Sequence, residues 1–405
     1  MKKIFLFVVV LLAAAFVSFA STEEVDVYAF LYRNAVTNSA QLDILQHMAE
    51  ARLIGAGEFY AQALRRLVSE YNNIRDITER NAAAEQAMIL AALLGAERYT
   101  QAAPDLWQVV ERFTNYPLVR AEALMALGRI RAVDYLPQVI RVLESMNVGA
   151  PGGDNLYGER VAFGAIISLE KFGNAQGYLP VFYSSSGWYS RRIRDQATRS
   201  LPLISRNPTD FMMQVVNGSA HSIALKLNAL QTIEASQVDN ADKSRIAVAA
   251  LAEGWRINVN NQQERLMLAN MRKLAIDMIN RYRSDDEAIY GLLEQSYSNI
   301  TRVDTQERLA AIAALASQRT DEAARILSGF LGAVDANGRF PPTSLNGRRQ
   351  SGVTTRDDEQ MVRAIIPALG QTGRIAARPA LMAVSNAGWT NAVITLARNA
   401  LREIN

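Results

Sequence analysis

The side chains that most often perform catalysis or hold a metal are scarce in this sequence. His47 and His221 are its two histidines, and it has no cysteine. A Ser-His-Asp or Cys-His site needs a histidine base, while thiolate zinc sites and disulfides need cysteine. There is also no phosphate-binding Gly-rich loop ending in Lys-Ser/Thr, no HExxH and no EF-hand pattern. We therefore predict no catalytic, cofactor-binding or metal-binding residues and no enzymatic activity.

Carboxylates are the remaining candidates for acid-base chemistry. The 40 Asp and Glu residues could supply a facing pair for glycoside hydrolysis. They are nearly balanced by 43 Lys and Arg residues. In a charge-balanced helical chain, ion pairs between helices are the expected use of these acids.

The densest group of aromatic and basic residues is Trp188-Tyr189-Ser190-Arg191-Arg192. Tyrosine, tryptophan and arginine are enriched where proteins bind one another. We predict that Trp188, Tyr189, Arg191 and Arg192 bind a partner protein. The alternative is a helix N-terminus at which Trp188 packs into the core.

A second candidate contact is the irregular segment 335–355. It carries Arg339, Arg348 and Arg349 around two prolines. A loop of this length without secondary structure is usually functional or disordered. We therefore predict these three arginines as further partner-binding residues.

A nine-residue signature, apolar-basic-x-x-Ala-x-x-small-apolar, recurs along the chain. The helices that it predicts must position the candidate binding residues. Copies start at Val119, Ile193, Leu225, Met271 and Glu307, with a weaker copy at Val161. Because positions i, i+4, i+7 and i+8 share one helical face, each copy predicts the first helix of a pair. Intervals of 32 to 46 residues fit two helices with short turns.

The second position of the signature is basic in five copies, namely Arg120, Arg194, Lys226, Arg272 and Arg308. One interpretation is a basic ladder along an inner groove. The other is structural, with each side chain bonding carbonyls or acids of an adjacent turn. We favour the structural interpretation because the basic residue stands at a fixed position of a signature whose other positions serve helix packing.

The residues after the signature predict a tight turn within each pair. Gly95, Gly128 and Gly370 are each followed nine residues later by a proline, at 104, 137 and 379. Glycine past a helix end can adopt the left-handed conformation that stops the helix. Proline in the first turn of the next helix loses no backbone hydrogen bond.

These residues resemble HEAT repeats, and more closely the short HEAT-like repeats named after phycobilisome lyases. The pattern of that family is V-R-x-x-A-x-x-A-L-G-x-x-G-D, with a proline opening the second helix. The match is closest at 119–137 and partial at 193–202 and 361–379, where Gly373 takes the place of the second glycine. The resemblance implies an all-α, right-handed α-solenoid of stacked antiparallel helix pairs, a HEAT-like superhelix that contacts other proteins. It implies no particular reaction.

The N-terminus predicts export. Lys2 and Lys3 precede the apolar run 4–17, and Ser18-Phe19-Ala20 provides small residues for cleavage after Ala20. The run is short for a membrane span, and a retained anchor is the alternative. We expect a bacterial periplasmic or secreted protein without a membrane span after cleavage. The mature chain would be nearly neutral, which argues against nucleic-acid binding.

The predicted layout has five parts. They are a signal peptide (1–20), an N-terminal helical cap (21–80), HEAT-like repeats (81–334), an irregular loop (335–355) and a C-terminal HEAT-like repeat (356–405). The predicted function is a non-enzymatic exported scaffold or adaptor that binds another protein along a solenoid surface, with no cofactor. The alternative is a cell-envelope enzyme, or a lyase-like HEAT protein, whose site has no recognisable motif.

Overall fold

A computed structural model describes residues 23–51, 53, 55–149, 155–331, 356–385 and 389–404. Every regular element in these ranges is helical, and none of the described residues forms a strand. The predicted signal peptide and the loop 335–355, with Arg339, Arg348 and Arg349, lie outside the described residues. The all-α class is confirmed.

The chain divides into two compact units, the first ending at Arg206 and the second starting at Asn207. The helices of the first unit are α1 (23–34), α2 (Asn38–Ala51), α3 (Gly57–Glu70), α4 (Ile77–Glu97), α5 (Ala103–Arg112), α6 (Pro117–Arg129), α7 (Leu136–Val148), α8 (Asn155–Phe172), α9 (Tyr178–Ser186) and α10 (Arg191–Ile204). Those of the second are α11 (Thr209–Asn217), α12 (Ile223–Ala235), α13 (Asn240–Arg256), α14 (Gln262–Tyr282), α15 (Ala288–Ser298), α16 (Thr305–Gln318), α17 (Asp321–Leu331), α18 (Arg356–Thr372), α19 (Arg378–Ser385) and α20 (Asn391–Glu403).

Within each unit the even-numbered helices stack on one another. In the first unit α2, α4, α6, α8 and α10 form this stack, and in the second α12, α14, α16, α18 and α20 form it. Each odd-numbered helix from α3 onward packs on the even-numbered helix that follows it, as α3 does on α4. Helix α3 also contacts α5, the next odd-numbered helix. Such stacking of helix pairs, each leaning on its neighbour, is the architecture of an α-solenoid. The predicted helical-repeat fold is therefore present in both units.

Every copy of the signature lies on an even-numbered helix, which packs on the odd-numbered helix before it. Its place as the first helix of each pair stays a prediction. The alanine at its fifth position is fully buried in the copies at 123, 197, 229, 275 and 311. A side chain of one carbon fits there because the neighbouring helix of the stack lies close. The signature is thus a packing rule between successive pairs.

The boundary between the two units can be placed on the predicted layout, which stays a prediction. The break after Arg206 lies inside the segment 81–334, which was expected to be one run of repeats. Here Ser205 is extended (φ −145°, ψ 131°) and Pro208 follows, so the helix cannot continue. At the other boundary, α2 packs on α4, so the predicted cap 21–80 joins the same stack without carrying the signature.

The turn glycines do not end their helices as predicted. Gly95, Gly128 and Gly370 lie inside α4, α6 and α18. A Cβ on Gly128 would lie 2.7 Å from the Cα of Ser168, and one on Gly370 would lie 2.9 Å from the Cα of Ala400. These glycines are therefore needed for close approach between stacked helices, because any side chain would strike the backbone of the next helix.

The left-handed residue that ends each helix lies three positions beyond the glycine. It is Arg98 after α4, Arg131 after α6 and Gly373 after α18. The predicted role of the prolines is confirmed, since those at 104, 137 and 379 stand second in α5, α7 and α19.

Candidate functional site

The basic residue of the signature closes the C-terminal end of the preceding odd-numbered helix. The last carbonyls of a helix lack partners within it and carry partial negative charge. Three signature residues donate to such a carbonyl: Arg120 Nε to Val110 O (2.9 Å), Lys226 Nζ to Val216 O (2.6 Å) and Arg308 Nε to Tyr297 O (3.0 Å). These contacts support the structural interpretation over a basic ladder. Arg194, the fifth such residue, is exposed.

Arg272 makes the most extensive contacts of this kind. It is 2% exposed, and its Nε and Nη2 donate to the two carboxylate oxygens of Glu307 at 2.7 and 2.9 Å. Nη2 also donates to Arg302 O (2.9 Å), and the guanidinium lies 4.7 Å from the ring centroid of Trp255. Burial raises the pKa of Glu307, while the hydrogen bonds from Arg272 oppose that rise. This buried pair joins α14 to α16.

A cleft of about 280 Å³ lies over a second buried ion pair in the same unit. Lys226 Nζ donates to Glu253 Oε1 at 2.7 Å, and Glu253 Oε2 lies 2.5 Å from Arg256 Nη2. Lys226 is 1% exposed and Glu253 is 6% exposed. The cleft is lined by Ser219, His221, Ser222, Ile223, Ala224, Lys226, Glu253, Ile257, Val259, Glu264 and Met267.

The polar groups at the base of this cleft serve the packing of α11, α12 and α13. Lys226 bonds both the end of α11 and Glu253 on α13, and Glu253 bonds two cations. At the rim, His221 Nδ1 lies 3.0 Å from Val215 O, so this histidine also contacts the end of α11. Lys226 thus provides a donor for the C-terminal end of α11, and Glu253 balances the charge of Lys226.

The predicted aromatic-basic cluster lies at the turn between α9 and α10. Trp188 is half-buried and its Nε1 donates to Met146 O at 3.1 Å. Tyr189 is 2% exposed, and its hydroxyl donates to Asn147 Oδ1 at 2.9 Å. Burial raises the pKa of Tyr189. The two aromatic residues thus attach this turn to the end of α7.

The basic half of the cluster faces outward. Glu159 on α8 accepts both the backbone N–H of Ser190 (2.5 Å) and its hydroxyl (2.9 Å), which fixes the start of α10. Arg191 and Arg192 follow and are exposed. Arg191 pairs with Asp195 at 3.5 Å, and the guanidinium of Arg192 lies 5.6 Å from the ring centroid of Phe163.

Two residues of this surface were not predicted. Phe163 is half-buried on α8, and Arg160 beside it is exposed. Phe163 joins the cluster through its contact with Arg192, since α8 and α10 are neighbours in the stack, and Arg160 lies about one turn before Phe163 on α8. The signature copies at Val161 and Ile193 could have indicated that neighbourhood. We call the set Arg160, Phe163, Trp188, Arg191 and Arg192 the arginine-aromatic surface.

The described residues contain neither a grouped set of metal ligands nor a helix suited to span a membrane. No three His, Asp or Glu side chains in those ranges are grouped as metal ligands would be. No helix in the same ranges combines the length and apolar character that crossing a membrane requires.

No family model matches the chain, and no curated protein matches its sequence. Among solved structures, the chain is similar to human deoxyhypusine hydroxylase in complex with glycerol, at 16% sequence identity and a TM-score of 0.27. That alignment covers 88% of this chain and 98% of the hydroxylase chain.

Proposed function

We propose that this protein is a non-enzymatic scaffold or adaptor that binds another protein, and that the arginine-aromatic surface is its contact site in the first unit. The supporting observation is that Arg191 and Arg192 are exposed at a turn that Trp188 holds by a hydrogen bond, and that Arg192 lies over the ring of Phe163. Arginine and aromatic residues are the side chains that most often dominate binding energy between proteins.

The geometry keeps the cost of binding low. Trp188 and Tyr189 are hydrogen-bonded to the end of α7, and Glu159 fixes the backbone that carries the two arginines. A partner would therefore order few additional side chains on association, which preserves affinity. The ring of Phe163 under Arg192 supplies apolar area beside the charge.

We also propose that the repeats are of the short HEAT-like type and that the protein is exported by a bacterium. The repeat assignment is supported by the position of every signature copy on a stacked helix. Export is supported by the sequence of residues 1–20. N-terminal sequencing of the protein from the cell envelope should give a chain that starts at Ser21. A chain that starts at Met1 would refute cleavage.

Site-specific photocrosslinking tests the scaffold function. A photoreactive amino acid at position 192 should capture one discrete protein in the envelope, while the same group at exposed Thr198, further along α10, should not. The double variant R191Q/R192Q should lose capture of that protein by affinity pull-down and keep the wild-type melting temperature. Equal labelling from positions 192 and 198 would contradict the proposed surface.

A further inference from the structure

One position of the repeat carries a strained arginine. The non-glycine residues with positive φ in the described chain are Arg98, Arg131, Arg283 and Arg319, at φ between 54° and 58°. Arg131, Arg283 and Arg319 each stand twelve residues after the signature starts at Val119, Met271 and Glu307. Directly after α8 and α18 the equivalent positions are Gly173 and Gly373, which also have positive φ. The equivalent residues of the copies at Ile193 and Leu225, Ser205 and Gln237, do not have positive φ, so the left-handed conformation occurs in four of the six copies, with arginine in three of them and glycine in one.

Arginine is a costly choice there. A left-handed residue brings its Cβ close to the following carbonyl, and glycine has no Cβ. Arginine near a helix C-terminus does complement the helix dipole. However, α6 and α14 already have Arg129 and Arg281 in their last turns, where no strain arises. Strained residues that persist in a fold often serve function. We therefore ask whether these arginine side chains bind a ligand.

In the second unit these arginines lie on neighbouring turns. The backbone N–H of Ser284 donates to Gln318 Oε1 at 3.2 Å, which joins the turn of Arg283 to that of Arg319. Arg374 Nε donates to Arg319 O at 2.6 Å, which joins the next turn. We call Arg283, Arg319 and Arg374 the arginine row. All three are exposed, and stacked helices place successive members about 8–10 Å apart.

The surroundings leave the row available to a ligand. The side chains of Arg283 and Arg319 form no ion pair with a described residue. Two acids of the same turns are engaged, since Asp286 Oδ1 accepts from Ala288 N and Glu322 pairs with Arg325. A cleft of about 360 Å³ opens beside Arg319, between the ends of α16, α18 and α20. It is lined by Arg319, Gly370, Gln371, Thr372, Gly373 and Glu403.

We propose that the arginine row binds an extended acidic polypeptide segment with a carboxylate at every third residue. In an extended polyproline II segment, three residues span about 9 Å and bring the side chains back to the same face, which matches the spacing of the row. The planar guanidinium donates two parallel hydrogen bonds to a carboxylate. A formal charge of +3 on 405 residues provides little general field for long polyanions such as nucleic acids. This proposal names a partner class for the scaffold and rests on that proposed function.

Direct binding of synthetic peptides to the purified protein tests the row. The probe is a fluorescent peptide of four Glu-Ser-Thr repeats, and its control has the same composition with the four Glu residues contiguous. We expect the repeating peptide to bind at least about five-fold more tightly than its control. The variant R283G/R319G should bind it about ten-fold more weakly, because each exposed arginine-carboxylate contact is worth roughly a three- to five-fold change in Kd. Its melting temperature should equal or exceed that of the wild type, because glycine relieves the strain.

A matched variant separates the row from net charge. R245Q/R265Q also removes two exposed arginines of the second unit, and it should change peptide affinity less than two-fold. An equal loss in both variants would overturn the proposal in favour of general charge attraction. A lower melting temperature of R283G/R319G with unchanged peptide binding would show a structural role instead. Tighter binding of a heparin oligosaccharide than of the repeating peptide would replace the polypeptide by a glycan.

The test also separates this proposal from the scaffold function. No peptide binding at about 1 mM, with crosslinking from position 192 intact, would refute the row alone. Loss of crosslinking with peptide binding intact would refute the arginine-aromatic surface alone.

Discussion

Arg120 and Arg272 occupy the same position of the repeat in the two units, and they balance their charge differently. Arg120 is half-buried and bonds Val110 O and the neutral hydroxyl of Tyr157 (2.6 Å). Arg272 is almost fully enclosed and holds a carboxylate, Glu307, that is itself 0% exposed. In both units the signature cation closes the preceding helix, and the depth of burial decides whether that cation also needs a charged partner.

The largest effect should come from removing one member of the buried pair. R272M leaves the Glu307 carboxylate enclosed without a partner, which should lower the free energy of unfolding by about 3–5 kcal/mol. R120M, at the half-buried position, should cost less, about 1–3 kcal/mol, from lost hydrogen bonds to Val110 and Tyr157. Urea denaturation of both variants measures the difference. A cost for R120M equal to that of R272M would refute the contrast.

The double variant R272M/E307L is the control for that experiment. Replacing both members of a buried ion pair by apolar residues of similar volume is often neutral or stabilising. We therefore expect most of the loss in R272M to be recovered. No recovery would mean that the arginine acts chiefly through Arg302 O and Trp255, which it also contacts.

The glycines of the two units provide a second contrast, at intermediate size. G128A places a Cβ 2.7 Å from the backbone of Ser168 and should destabilise by about 1–3 kcal/mol. Gly291, inside α15 of the second unit, has nothing within 4 Å of the equivalent Cβ. G291A should therefore stabilise by about 0.5–1 kcal/mol through helix propensity. Thermal unfolding shows the sign, and two changes of the same sign would contradict the role of Gly128 in close packing.

These examples show which features the sequence could predict. The helix pairs and the prolines at helix starts follow from local periodicity and turn chemistry, so both were predictable. The function of Gly128 was not, because it depends on Ser168, which lies on the next stacked helix. The partner of Arg272 is 35 residues away along the chain, and Glu307 stands at the first position of the next signature copy, where the pattern has an apolar residue. Tyr189 and Arg191 look alike as candidates in the sequence, and the fold buries one and exposes the other.

The smallest expected effect is a difference in pH dependence between carboxyl groups of the two units. The pKa of Glu307 is raised above 4.5 by burial, whereas hydrogen bonds from Tyr99 and Gln62 lower the pKa of Glu58 in the first unit. Between 4.5 and its raised pKa, Glu307 binds more protons folded than unfolded, so its contribution to stability falls as pH rises. Glu58 binds fewer protons folded, so its contribution is lost as pH falls below 4.5 toward its lowered pKa.

Urea midpoints of the wild type, E307Q and E58Q between about pH 3 and pH 7 measure these contributions. As pH rises from 4.5 toward the raised pKa of Glu307, the wild type should lose stability relative to E307Q. As pH rises from the lowered pKa of Glu58 toward 4.5, the wild type should gain stability relative to E58Q. Differences that change with pH in the same direction would mean that Arg272 outweighs burial at Glu307. The two units would then balance their carboxylates by the same physical means, although one carboxylate is enclosed and the other lies at the surface.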